Sequence, residues 1–304
     1  MRAGIAALGL ALATSAFADT RCPPPPAQPS EAQQQAAQRQ ARDHGLLWRL
    51  SKDGRESWLF GTLHVGRPEW SAPGQVLRQA LAGSDLLALE IDPADPALAA
   101  QLREAMHNTP ESDPVLRQRL QRQAAAACLP DTALQGLPPT LQLMTLTLLQ
   151  ARHDALDAAF GQEQMLAAAA RAAGLRIVAL ESVAQQIELL LSADAALLEA
   201  ALDQLEAGRS RALMRRLAQA WADGDLQTLE RYEQWCECAD TEAQRAWLRQ
   251  LNDARNAPLA AGIDALHAAG HKVFAAVGAL HMTGPQTLPR LLQERGYTVQ
   301  RLRF

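Results

Sequence analysis

Short apolar runs alternate along this chain with polar stretches of helical period. Leu46-Leu47-Trp48-Arg49-Leu50 and Ser57-Trp58-Leu59-Phe60 flank Asp53-Gly54, and Asp-Gly between two such runs predicts a β-hairpin. Asp85 to Leu89, Leu175 to Leu180 and Val273 to Val277 have the length and composition of buried strands. Tyr297 to Leu302 reads as a last strand. Helices are predicted over Glu31–Arg42, Pro73–Ala82, Glu163–Ala173, Leu259–Ala269 and Pro285–Glu294, with Gly83, Gly174 and Gly270 as stops. Ala97 to Phe160 is mostly helical, broken at Pro110, Pro114, Pro130 and Gly136 to Pro139, and its most apolar part, Leu141 to Leu149, is expected in the core. Val183 to Ala257 reads as long amphipathic helices with a break at Ala222 to Asp225. The alternation predicts an α/β fold: a central mixed, mostly parallel sheet flanked by helices. Residues 46–304 form one domain in this reading, with helical insertions at about 97–160 and 183–257.

The ends of the chain add localisation. Arg2, the apolar Ala3 to Ala13 and the small-x-small site Ala16-Phe17-Ala18 form a secretory signal. The expected product begins at Asp19, is exported to the periplasm or secreted, and has no stable membrane anchor. Pro23 to Ser30 reads as a linker, so residues 19–45 are expected to be a Pro- and Gln-rich linker with one short helix. Four cysteines, Cys22, Cys128, Cys236 and Cys238, remain after cleavage, an even number suited to disulfides in an oxidising compartment. Cys236 and Cys238 are only two residues apart, so long-range pairs are expected. Zinc on Cys-x-Cys is the weaker reading, because Cys22 and Cys128 lack neighbours at ligand spacing.

The formal charge of −4 argues against a nucleic-acid partner, which needs a concentrated basic face. Arg209, Arg211, Arg215 and Arg216 cluster, but with Glu199, Asp203 and Glu206 nearby they read as a solvated helix face. A peptide or small-molecule substrate is the expected partner.

The candidate chemistry sits where strands end. Phe60-Gly61-Thr62-Leu63-His64-Val65-Gly66 follows one run, and Gly278-Ala279-Leu280-His281 follows another. Each glycine is expected to let the backbone turn at the strand end. Two more runs end in Glu90, with Asp92 two residues on, and in Glu181. If the strands are neighbours and parallel, His64, Glu90, Glu181 and His281 meet at one rim, where ligands bind in open α/β sheets. Two imidazoles and two carboxylates suit a divalent metal that acidifies a water. Without metal, the same set can act as general acids and bases. Arg255 offers a clamp for a substrate carboxylate or an oxyanion. Taken singly, each residue has a duller reading: a hydrogen-bonded histidine, a helix-capping glutamate, an exposed arginine. His44, His107, His153, His267 and His271 read as surface or packing residues. The absence of Gly-x-Ser-x-Gly and His-Glu-x-x-His removes the common serine-hydrolase and zincin readings.

Leu59 to Gly66, Leu89-Glu90, Gly174 to Glu181 with Gln185-Gln186, Arg255-Asn256 and Val277 to His281 together resemble the TraB/GumN family, which is related to the Tiki metalloproteases. The resemblance runs from about Leu47 to the C-terminus. It implies a fold shared with erythromycin-esterase-like and ChaN-like proteins. For the Tiki branch it implies a manganese- or cobalt-dependent peptidase, with zinc also possible. On this chain the metal ligands would be His64, His281, Glu90 and Glu181. Glu90 and Glu181 would also supply a general base, Arg255 would hold an anion, and Gly61, Gly278 and Asn256 would complete the motifs. One departure stands out: the family's Gly-x-Asp reads Gly161-Gln162-Glu163 here. Three functions are therefore expected: a metal-dependent hydrolase, most simply a peptidase; a metal-free esterase-like hydrolase with a histidine base; or a binding protein without catalysis.

Overall fold

A computed structural model describes residues 22–107 and 113–304. The expected signal segment and the break at Pro110 lie outside those residues. Six strands form one sheet: β1 (Leu46–Lys52), β2 (Arg55–Thr62), β3 (Leu86–Leu89), β4 (Arg176–Ala179), β5 (Val273–Gly278) and β6 (Thr298–Leu302), in the order β4-β3-β5-β2-β1-β6. β4, β3, β5 and β2 are mutually parallel, and β1 runs antiparallel to both of its neighbours. The sheet is mixed and mostly parallel with helices packed around it, which makes the fold α/β.

The hairpin forms as its sequence predicts. Asp53 and Gly54 both take positive φ, 52° and 72°, the conformation of a tight primed turn. All residues of β3, and Val273 to Val277 of β5, are fully buried, as expected for central strands covered on both faces. β4 is an edge strand and is half exposed. The main core gathers side chains from the helices Gln75–Ala82, Gln162–Ala172, Arg209–Ala222, Asp253–Ala268 and Leu288–Glu294. Trp221 is fully buried there, and its indole N–H donates to the Gly61 carbonyl at 2.7 Å. A second core of Leu116, Leu120, Leu134, Leu143, Leu146, Leu202 and Leu205 holds the helices around 114–151 and 195–206 together. Leu143 and Leu146 of the apolar segment Leu141 to Leu149 belong to this second core, and Leu148 packs against the main one.

Three expectations change. Pro114 and Pro139 open helices rather than break them, because a first-turn residue needs no amide hydrogen. The long helices expected up to Ala257 are a series of shorter ones. The boundary expected there is absent: Asp253–Ala268 is one helix with Pro258 inside it. Burial of Asn256, Leu259, Ala260 and Ile263 carries the helix through the hydrogen bond the proline removes. Finally, Cys236 pairs with Cys238, against the expectation of long-range pairs, while Cys22 pairs with Cys128. The short bridge closes because Glu237 between its two cysteines takes a left-handed φ of 53°. Among the described residues no helix is long and apolar enough to cross a membrane.

Candidate functional site

The ends of four parallel strands converge at one rim. β2 leads to His64, β3 to Glu90, β4 to Glu181 and β5 to His281. The motif glycines act differently from expectation. Neither Gly61 nor Gly278 has a positive φ. Each sits at a close approach instead: a Cβ on Gly61 would lie 3.2 Å from the Ala279 backbone, and one on Gly278 would lie 3.3 Å from Glu90 Oε1.

His281 is buried, and its ring is fixed by Asn256. The Asn256 amide nitrogen faces two carbonyls, donating to Gln286 O at 2.7 Å and to His281 O at 3.3 Å. That orientation turns Asn256 Oδ1 toward His281 Nδ1, 2.6 Å away. Nδ1 must then carry the proton, which leaves Nε2 as a bare acceptor. Nε2 lies 3.9 Å from Glu90 Oε1.

Glu90 is held from several sides. Its Oε1 accepts the Gly278 amide at 2.7 Å, and its Oε2 accepts Gln186 Nε2 at 3.2 Å. Arg255 Nη2 donates both to that Oε2 and to Glu181 Oε2, and Arg255 Nε donates to Glu181 Oε1 at 2.8 Å. Gln186 Nε2 also reaches Glu181 Oε2 at 3.0 Å. The arginine expected to meet a substrate anion is therefore already shared by two protein carboxylates.

Burial favours the protonated form of Glu90. The charges of His281, Arg255 and His64 and the Gly278 amide outweigh it, and the carboxyl pKa falls to about 2. His281 is pushed down to about 4, because burial and the Arg255 charge exceed the pull of Glu90 and Glu181. A neutral His281 lends Glu90 no charge, so near neutral pH the cations that keep Glu90 ionised are Arg255 and His64.

His64 stands apart in exposure: three quarters of its side chain meets solvent. Its Nδ1 lies 3.1 Å from Glu163 Oε1, which also accepts the Thr62 hydroxyl at 2.5 Å. The Glu163 carboxylate raises the imidazole pKa, and water screens the pair at this exposure. Burial pushes the Glu163 carboxyl up, but His64 and Thr62 outweigh it and hold it below the usual carboxylate range. Glu163 thus occupies the place where the sequence departs from the family pattern, and its longer arm reaches the first motif histidine. The loop can pack so tightly because Gly161 has no side chain: a Cβ there would sit 2.7 Å from His64 O.

Asn256, Gln186 and Glu163 were legible only as motif neighbours; the sequence assigned them no contact. Asp92 leaves the rim, capping the Ala94 amide and pairing with Arg171. His267 is a buried packing residue bonded to Ser57 and Lys52. The arginine cluster is engaged locally, Arg211 and Arg215 with Asp154, Arg209 with Glu237 and Arg216 over the Trp235 ring.

The family model for TraB/PrgY/gumN proteins matches residues 46–301, which takes in all but the last residue of the sheet and both motif histidines. The chain belongs to the TraB/PrgY/gumN family. No curated protein and no solved structure matches it.

The resemblance implies a divalent metal among these family residues, and the donors present test it. His281 Nε2 and Glu90 Oε1, 3.9 Å apart, are within twice a metal–ligand bond of each other. Glu181 and the second oxygen of Glu90 are turned to Arg255 and Gln186 instead. Among the described residues no group of three or more His, Cys, Asp or Glu side chains is arranged to hold a metal ion. In this arrangement the residues do not fit a metal.

Proposed function

We propose that this family member is a hydrolase of ester or amide bonds that uses a histidine base without a metal. The observation that carries the reading is the 3.9 Å gap between His281 Nε2 and Glu90 Oε1. Both atoms are acceptors, so they cannot bond to each other. A water that donates one hydrogen to each satisfies both, and its lone pairs then point away from them toward a carbonyl carbon.

His281 is the stronger base of the two and is neutral at pH 7, so it takes the proton as the water attacks. The imidazolium that forms sits beside the Glu90 carboxylate, which stabilises it. Asn256 keeps the ring in the one tautomer that leaves Nε2 free. His64, with its pKa raised by Glu163, supplies a proton or a positive charge at the solvent side, where the leaving group or the oxyanion develops. Arg255 and Gln186 hold the Glu90 carboxylate in place. Export fits the same reading, since two disulfides persist in an oxidising compartment.

The test is a screen of chromogenic esters and peptide libraries with protein dialysed against EDTA. Turnover that survives dialysis, and falls by about 10²–10⁴ in both His281→Asn and Glu90→Gln, is expected. Turnover that vanishes with EDTA and returns with manganese or cobalt would overturn the metal-free mechanism. Binding of peptides with no turnover would overturn the hydrolase.

A further inference from the structure

Two carboxylates at one rim need a cation, and in this chain the cation is part of the protein. Glu90 and Glu181 carry two negative charges; Glu90 is buried and Glu181 partly buried, with side chains 11% and 12% exposed. Arg255, 17% exposed, sends Nη2 to both of them and Nε to the second oxygen of Glu181. Its remaining nitrogen, Nη1, donates to Leu251 O at 2.9 Å, which ties the guanidinium to the end of the preceding helix, Glu242–Leu251. Gln186 Nε2 reaches one oxygen of each carboxylate from a second direction. Without the guanidinium, one oxygen of each carboxylate would face the position that Nη2 fills. Carboxylate oxygens with a double negative charge suit a divalent cation such as manganese.

We propose that the Arg255 guanidinium takes the place of a divalent cation between Glu90 and Glu181, so that this chain holds no metal at the rim while its Arg255→Met variant does. The claim rests on the arrangement described for the proposed hydrolase, but it concerns cation binding and not turnover. Arg255 is a positioning residue in this account, since it touches the carboxylates and no reacting atom. Methionine matches its length roughly and brings no charge, leaving two carboxylates that repel each other until a cation enters.

The experiment is titration of the metal-free protein with manganese, followed by calorimetry and by the electron paramagnetic resonance signal of free Mn²⁺. Wild type is expected to take up no stoichiometric manganese. Arg255→Met is expected to bind one ion per chain, at least about tenfold more tightly than wild type, a difference of about 1.4 kcal/mol. Adding Glu181→Gln to Arg255→Met is expected to abolish the gain. Circular dichroism reports folding of each variant. If Arg255→Met does not fold, Arg255→Gln takes its place, since its amide can donate to the carboxylates but brings no charge. Wild type binding one manganese per chain as tightly as the variant would overturn the proposal. So would a folded variant that gains no affinity. Hydrolysis is read separately, so a chain that turns over no substrate can still gain manganese affinity on loss of Arg255, and the two claims fall independently.

Discussion

Asn256→Asp is the most informative single change, because it is nearly isosteric and adds a charge beside His281, at the loss of the amide donor to the Gln286 and His281 carbonyls. The amide Oδ1 that lies 2.6 Å from His281 Nδ1 becomes a carboxylate oxygen at the same place. A carboxylate in contact with an imidazole raises its pKa by about 1–3 units. The His281 pKa, held at about 4 by burial and Arg255, then rises. The sign follows from the base's role. A general base works only when unprotonated, so the acid limb of kcat/KM moves to higher pH. With a rise of about 2 units, near pH 5 the neutral fraction falls from about nine tenths to about one tenth, a loss of about tenfold. Near pH 8 both proteins have a neutral His281 and the difference closes. The assay is a pH–rate profile of kcat/KM on the substrate that the screen yields, beside thermal unfolding at each pH to exclude denaturation. An acid limb that stays in place would refute His281 as the base. So would a rate loss that is equal at all pH values, because it would reflect distortion rather than titration.

Other changes probe other parts of the molecule. Trp221→Ala removes the largest fully buried side chain and the donor to Gly61 O, and should cost about 3–5 kcal/mol in chemical denaturation. A loss under about 1 kcal/mol would mean that the indole does not anchor the first motif strand. Glu163→Gln removes the charge that raises His64, so the imidazole should titrate at lower pH in an NMR titration. An unmoved His64 titration would show that the contact is not populated in solution. The two disulfides should differ sharply, since their cysteines are 106 and 2 residues apart. By loop-closure entropy, serine replacement at Cys22 and Cys128 should cost about 5 kcal/mol and at Cys236 and Cys238 about 2 kcal/mol. A reversed order in denaturant unfolding would show that local contacts, not loop length, set their contribution.

The strands were legible because each is a short apolar run bounded by turn residues. The Asp53-Gly54 turn, the buried β3 and β5 and the convergence of His64, Glu90, Glu181 and His281 all followed from that pattern and from parallel pairing. What pattern cannot give is the partner of each polar atom. Nothing in the order of residues says that Arg255 bends back onto two carboxylates, or that Glu163 reaches His64 across about a hundred residues of chain. The boundary expected between Ala257 and Leu259 is absent, because tertiary burial of the neighbours of Pro258 kept the helix intact. Cys236 and Cys238 misled because their bridge depends on one left-handed residue, Glu237, which no local sequence rule marks for that conformation.

The most direct test of the account is a high-resolution crystal structure of the protein grown with manganese in the solution. The account predicts a water within hydrogen-bonding distance of both His281 Nε2 and Glu90 Oε1, with Arg255 still bridging Glu90 and Glu181. Anomalous density for manganese between those carboxylates, with Arg255 swung away, would contradict it.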